Sequence, residues 1–299
     1  MSDFDFRFGG LARLYGADGL QRLRRAHALV VGVGGVGSWA VEALARSAVG
    51  LLTMVDLDEV CVSNVNRQLP ALDGTLGLPK VEVLAARIRA IHPQGEVRPR
   101  MEFFTAETAG SLLEPPGERR PDVVIDAIDH VGNKTLLIAR CVALGIPVVV
   151  CGGAGGRRDP TALRVVDLAA ATHDRLLVQV RKRLRQDHGF SRDATRWGVD
   201  CLASTEPPVF PRRDGTVCAA RDPEAGGESL RLNCDAGFGS ACFVTGAMGF
   251  AAAAVAIRHL TGTPTRATRQ PPPAQRPADA GHAPSANGRA DSRAGSSST

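Results

Sequence analysis

The stretch AHALVVGVGGVGS, residues 26–38, decides the fold. Its first part is a continuous apolar run, read as a strand from Leu29 to Val33 that is covered on both faces. Its second part, Gly32-Val33-Gly34-Gly35-Val36-Gly37-Ser38, lets the backbone turn tightly and come close to phosphate oxygens. A helix starting at Ser38 then offers unpaired amides and the positive end of its dipole to negative charge. After the next apolar run, LLTMVDLD, Asp56 stands where a carboxylate accepts hydrogen bonds from ribose hydroxyls. A glycine turn with an acid behind it fits any mononucleotide or dinucleotide, so the pair predicts a nucleotide site without fixing its chemistry.

Working outward, the runs LLTMVDLD, PDVVIDAID and IPVVVCGG alternate with helical patterns from Ser38, after Pro79 and near Asn133. This is βαβ alternation, and it predicts an α/β fold with a Rossmann-like, doubly wound parallel sheet. The 299 residues are 44% hydrophobic and 22% charged, as in a soluble globular protein, and only 4% aromatic, which argues against an aromatic-rich β-sandwich. Residues 1–262 are expected to form the catalytic domain. Residues 263–299, rich in Pro, Arg, Ser and Ala without apolar periodicity, are expected to be a disordered tail. That tail holds five arginines against two aspartates, so of the formal charge of +5 only about +2 belongs to the rest of the chain. Such a small excess does not by itself announce a nucleic-acid binder. Seven dispersed cysteines, behind a start (MSDFDFRFGG) that lacks a basic-then-apolar signal region, predict reduced thiols and a cytoplasmic protein. Residues 236–257, AGFGSACFVTGAMGFAAAAVAI, are long enough to cross a bilayer, but they are rich in Ala and Gly rather than Leu and Ile. They are expected to form a buried helix, under the sheet or at a dimer contact, with no membrane association.

Three further blocks bear on the chemistry: Ser63-Asn64-Val65-Asn66-Arg67-Gln68, then Gly77-Leu78-Pro79-Lys80-Val81-Glu82, then Asp126-Ala127-Ile128-Asp129. Hydride transfer has no use for the first of these. Arg67 and Lys80, near a glycine loop, are two cations suited to a triphosphate and a departing pyrophosphate. The plainer alternatives are that both are solvated surface charges and that Asp126 only caps the following helix.

The order GxGGxGS, DxD, SNxNRQ, GxPK, DxxD resembles the ubiquitin-activating superfamily, which includes the bacterial adenylyltransferases of molybdopterin and thiamine biosynthesis. Within it, RFGGLARLYG (7–16), WGVDC (197–201), STE (204–206), LNC (232–234) and GFGS (237–240) are similar to the tRNA threonylcarbamoyladenosine dehydratases. That resemblance covers about residues 5–260. It implies ATP-dependent cyclisation of threonylcarbamoyladenosine next to the anticodon, through carboxylate adenylation, giving the hydantoin form. The alternative within the superfamily is adenylation of the C-terminal glycine of a ubiquitin-like sulfur carrier.

Carried over by position, the resemblance assigns Gly32, Gly34, Gly35 and Gly37 to the nucleotide loop and Asp56 to the ribose. Ser63, Asn64, Asn66, Arg67 and Lys80 are assigned to the phosphates, and Asp129 to a magnesium ion. Arg13 is implied to act across a homodimer interface. A sulfur-relay or cysteine desulfurase partner is also implied. His130 departs from the pattern, since many relatives have Asn after that aspartate. The adenylyltransferase relatives commonly hold zinc with two CxxC pairs, and no CxxC occurs here, so no zinc is expected. Cys61, Cys141 and Cys151 are expected in the core, while Cys201 and Cys234 lie in family-like motifs where a thiol role is open. Finally, residues 174–188, DRLLVQVRKRLRQDH, put Leu176, Leu177, Val180 and Leu184 on one stripe, with Arg175, Arg181, Lys182, Arg183 and Arg185 mostly off it. This amphipathic basic helix, with Arg157 and Arg158 beyond the loop 152–156, is the candidate surface for tRNA phosphates; the plainer reading is a solvated face.

Overall fold

The structure is a computed structural model, and it describes residues 2–212, 214–219 and 238–263. Helix α1 (Asp3–Arg25) is not evident from the apolar pattern; Ser2 and Asp5 form a reciprocal capping box at its start, and Gly16 (φ 76°) kinks it. Strand β1 (His27–Val31) is entirely buried and stops two residues before the expected end, because Gly32 already turns away at φ 83°. Helix α2 (Gly37–Arg46) returns the chain to β2 (Leu51–Val55). Helix α3 (Lys80–Ile91) and strand β3 (Glu96–Arg100) follow, then the short α4 (Ala109–Leu113) and β4 (Val123–Asp126). Helix α5 (Val131–Ala143) leads to β5 (Val148–Cys151). Beyond it come β6 (Leu163–Asp167), α6 (Arg175–Asp187), β7 (Asp200–Ser204), a small hairpin of β8 (Phe210–Pro211) and β9 (Val217–Cys218), and α7 (Cys242–Thr261).

Seven strands form one sheet in the order β3-β2-β1-β4-β5-β7-β6, parallel except for β6, which runs antiparallel to β7. Successive strand side chains point to opposite faces, and each face is covered by helices. Ala28, Val30, Leu52, Met54 and Ile125 pack with α2, α3 and α7, whereas Leu29, Val31, Val55, Val124 and Val150 pack with α4, α5 and α6. This two-sided covering is the physical reason the strands read as unbroken apolar runs. Strand order reverses between β1 and β4, which opens a crevice at their C-terminal ends, where ligands bind in such sheets.

Helix α7 is the one described helix long and apolar enough to cross a membrane. It is a core element of the domain: Val244, Met248, Ala252, Val255 and Ala256 are buried against α2 and the sheet. Its approach to α2 demands glycine, since a Cβ on Gly249 would lie 2.4 Å from the Val36 carbonyl. Of the tail expected from residue 263, only Thr263 falls among the described residues.

Candidate active site

A cavity of about 750 Å³ opens at the C-terminal ends of β1, β2, β4 and β5. Gly32, Gly34 and Gly35 line it from the glycine loop, Asp56 from the end of β2, and Asn64, Arg67 and Lys80 from the connection between β2 and α3. Asp129 lines it from the β4–α5 turn. Eight of the sequence-assigned nucleotide residues therefore converge on one space. Gly37, Ser63, Asn66 and Arg13 do not line it. Gly37 serves packing, because a Cβ there would sit 1.8 Å from the Gly32 carbonyl. Ser63 and Asn66 act on Arg67: the Arg67 Nη1 donates to the Ser63 carbonyl (2.8 Å) and to Asn66 Oδ1 (3.0 Å). Asn66 Nδ2 in turn donates to the Ser240 carbonyl at 2.7 Å, tying this segment to the approach to α7. Arg13 is exposed on α1.

The Asp56 carboxylate accepts the Val33 amide at 2.8 Å and the Asp58 amide at 2.9 Å, so it braces the glycine loop before any ligand arrives. Burial pushes its carboxyl above the usual aspartate range, and the nearby Lys80 charge pulls it back. Lys80 is 4% exposed, and its Nζ lies 2.7 Å from Asp58 Oδ2. The solvated-charge reading of Lys80 is thereby excluded. Asn64 is buried, with Oδ1 accepting the Cys61 amide.

Asp126 does not cap α5. Its carboxylate is 0% exposed, 3.1 Å from the Nζ of Lys134, which is equally buried and also donates to the carbonyls of Asp126 (3.3 Å) and Ile128 (3.1 Å). Burial raises the Asp126 carboxyl and the Lys134 charge opposes the rise. The cap of α5 is His130, whose ring nitrogen accepts the Asn133 amide at 3.3 Å, so the residue that departs from the family pattern does structural work. Asp129 remains exposed at the cavity, with no side-chain partner among the described residues.

The cysteines divide differently from expectation. Cys141 and Cys151 are buried, with thiols pushed up to about 12 by desolvation. Cys201 is fully buried in β7 and its thiol is raised well above its ordinary value, which removes the thiolate a nucleophile requires. Cys61, expected in the core, is instead exposed and lines the cavity, because it lies in the connection after β2 rather than on a strand or helix face. Cys234 lies outside the described residues.

The basic helix α6 forms as expected, with Leu177, Val180 and Leu184 buried. Its cations are not all solvated. Arg181 Nη1 donates to the Ala169 carbonyl at 2.8 Å, Arg185 lies over the Trp197 ring at 5.2 Å, and Arg175 lies over Phe210 and lines the cavity. Lys182 and Arg183 are exposed. Arg157 is buried, with Nη2 on the His173 carbonyl at 2.7 Å, and its exposed neighbour Arg158 offers a backbone amide to Glu206.

Comparison with known proteins agrees with this geometry. The ThiF family matches residues 10–278. The chain is 45% identical over 261 residues to the tRNA threonylcarbamoyladenosine dehydratase of Escherichia coli (strain K12), covering 87% of this chain and 95% of that protein. The chain belongs to the tRNA threonylcarbamoyladenosine dehydratase family. Among solved structures, TcdA (CsdL) superposes with a TM-score of 0.78 at 45% identity, covering 90% of this chain and 98% of the other. The E. coli dehydratase in complex with ATP gives a TM-score of 0.75 at 42% identity, covering 87% and 96%. The family's fold is the doubly wound, ubiquitin-activating type read from the motifs.

Two residues that hold this site escaped the motif reading. Trp39, one residue past the glycine motif, and Thr245, on α7, both donate to the Arg67 carbonyl. The signal was present in Trp39 alone, since a half-buried indole N–H needs an acceptor.

Proposed function

We propose that this chain catalyses the ATP-dependent cyclisation of threonylcarbamoyladenosine in tRNA, next to the anticodon, through carboxylate adenylation. The observation that carries the reading is its likeness, over nearly the whole length, to dehydratases of that name, one of them solved with ATP. The motifs meet around a single cavity of nucleotide size.

In the first step a threonyl carboxylate oxygen bonds to the α-phosphorus of ATP, the bond from that phosphorus to the bridging oxygen breaks, and pyrophosphate leaves. The ureido nitrogen then attacks the activated carbonyl carbon, loses its proton, and expels AMP with one former carboxylate oxygen. Net loss is one water. Ring closure is favoured because nucleophile and electrophile are already tethered. Asp56 orients the ribose while bracing the glycine loop. Arg67 presents a guanidinium held by two neighbouring oxygens, and Lys80 brings a charge already partly offset by Asp58.

Magnesium is part of the proposal. A hard cation that leans on substrate phosphates needs only one or two carboxylates, and Asp129, exposed at the cavity without a side-chain partner, fits that need. Among the described residues no three His, Cys, Asp or Glu groups gather around a metal-sized space. When bound, the ion would neutralise charge on the departing pyrophosphate. A homodimer with Arg13 acting in the partner's site is supported by the exposure of Arg13 on α1, with Phe6 (75% exposed) two turns before it on the same face. Lys182 and Arg183 are the helix cations left for tRNA phosphates. A cytoplasmic location is proposed from the reduced thiols of Cys141, Cys151 and Cys201, which are buried in the core.

The test is AMP release from ATP and magnesium with alternative acyl substrates. Release should depend on tRNA bearing threonylcarbamoyladenosine. Release that depends instead on a small ubiquitin-like protein would favour the sulfur-carrier adenylyltransferase.

A further inference from the structure

Arg67 lines the cavity without an ion pair among the described residues, and its main chain is in a turn rather than in a helix or strand. No backbone amide among the described residues bonds to its carbonyl. A carbonyl oxygen has two lone pairs, and one left unpaired inside a protein is costly. Two side chains from different helices fill both positions. The indole Nε1 of Trp39, on α2, donates at 3.1 Å. The hydroxyl of Thr245, on α7, lies 3.1 Å from the same oxygen, closer than to the Cys242 carbonyl (3.3 Å) or the Ala241 carbonyl (3.4 Å). Thr245 is buried and lines the cavity, and its methyl group faces Gly35, whose added Cβ would lie 3.2 Å from it.

We infer that Trp39 and Thr245 are positioning residues for Arg67, clamping its backbone so that the guanidinium is presented to the phosphates. The clamp joins three parts of the site. Helix α2 follows the glycine loop, the turn at 65–67 carries the phosphate-binding arginine, and α7 closes the domain over both. Without the clamp, the peptide after Arg67 keeps only the local hydrogen bond from the Gln68 amide to the Asn64 carbonyl, at 2.9 Å. The side-chain contacts to Ser63 and Asn66 would then hold the guanidinium within its own segment rather than relative to the glycine loop. The inference rests on the proposed ATP site, yet its test reads nucleotide binding and needs no tRNA turnover.

The experiment measures dissociation constants for ATP and AMP with the full chain, for wild type, Thr245→Val, Thr245→Ser and Trp39→Phe, each also in an Arg67→Ala background. Valine keeps the shape of threonine and removes only the hydroxyl; serine keeps the hydroxyl. Thr245→Val should weaken ATP roughly tenfold while changing AMP by less than about threefold, and Thr245→Ser should restore most of the loss. Trp39→Phe should act in the same direction. In the Arg67→Ala background, Thr245→Val should have almost no further effect, because the group it positions is gone. An equal loss with and without the Arg67 side chain would show a general packing role and overturn the inference, as would an unchanged ATP affinity in Thr245→Val. Should Trp39→Phe fold poorly, the Thr245 cycle alone decides. A wild-type chain that binds ATP but leaves tRNA unaltered would sink the proposed reaction without touching the clamp.

Discussion

The Asp126–Lys134 pair offers a severe test of what holds the β4–α5 turn. Both side chains are 0% exposed, and the lysine ammonium has three acceptors: Asp126 Oδ1 at 3.1 Å, the Ile128 carbonyl at 3.1 Å and the Asp126 carbonyl at 3.3 Å. Three protons therefore meet three oxygens. Replacing Lys134 with Met keeps most of the stem and removes the charge, which leaves a fully buried carboxylate without its cation and takes one donor from each of two carbonyls. Breaking such a pair from one side costs about 3–5 kcal/mol. For a domain of this size that corresponds to a fall in Tm of roughly 6–20 °C. The double variant Asp126→Asn with Lys134→Met removes both charges and should recover at least about half of the loss, since no uncompensated ion remains. Urea unfolding followed by circular dichroism, with thermal melts alongside, measures both. A single-variant cost under about 1 kcal/mol, or a double variant worse than the single, would refute the claim that the pair is closed to solvent.

Other outcomes follow from the same geometry. Burial raises the Asp56 carboxyl, so the ionised form that accepts ribose hydroxyls is present above that raised value and lost as pH falls through it. Adenosine, which has no phosphate to titrate, should therefore lose affinity at a higher pH than the ordinary aspartate value of 3.8, and Lys80→Met should move this limb higher still by removing the charge that lowers it. A limb at or below that value in wild type would contradict the assignment. Reversal of the exposed pair Lys182 and Arg183 to Glu should raise the tRNA requirement roughly tenfold with ATP binding intact, whereas removing residues 264–299 should change turnover by less than about twofold at physiological salt. Glu at Arg181 or Arg185 should instead lower thermal stability, because these contact Ala169 and Trp197. Mixing inactive Arg13→Ala chains with inactive Asp129→Ala chains should restore some activity through hybrid sites. Failure to do so in confirmed mixed dimers would count against action across the interface.

Much of this architecture was legible in the order of residues. Continuous apolar runs located β1, β2, β4 and β5 because both faces of a parallel sheet are covered, and the glycines marked where β1 must turn. Short strand β3, with Pro99 and three charged residues, gave no such run, since it is an edge strand and half exposed. Helix α1 hid behind its kink and its polar composition. Motif spacing brought Asp56, Arg67, Lys80 and Asp129 together in advance. It did not reveal which charges were already partnered. Lys80 with Asp58, Asp126 with Lys134 and Arg181 with Ala169 are contacts across the fold, invisible to local pattern. Cys61 was misplaced for the converse reason, as a residue type that prefers the core sits here in an exposed connection.

The central claim is that this chain removes water from a modified nucleoside within tRNA at the expense of ATP. Nucleosides from tRNA bearing threonylcarbamoyladenosine, digested before and after incubation with the protein, ATP and magnesium, can be weighed by mass spectrometry. The account predicts that threonylcarbamoyladenosine disappears in favour of a species lighter by one water, with AMP formed in equal amount, and that Arg67→Ala abolishes both changes. Threonylcarbamoyladenosine left unaltered by a protein that binds ATP tightly would contradict it.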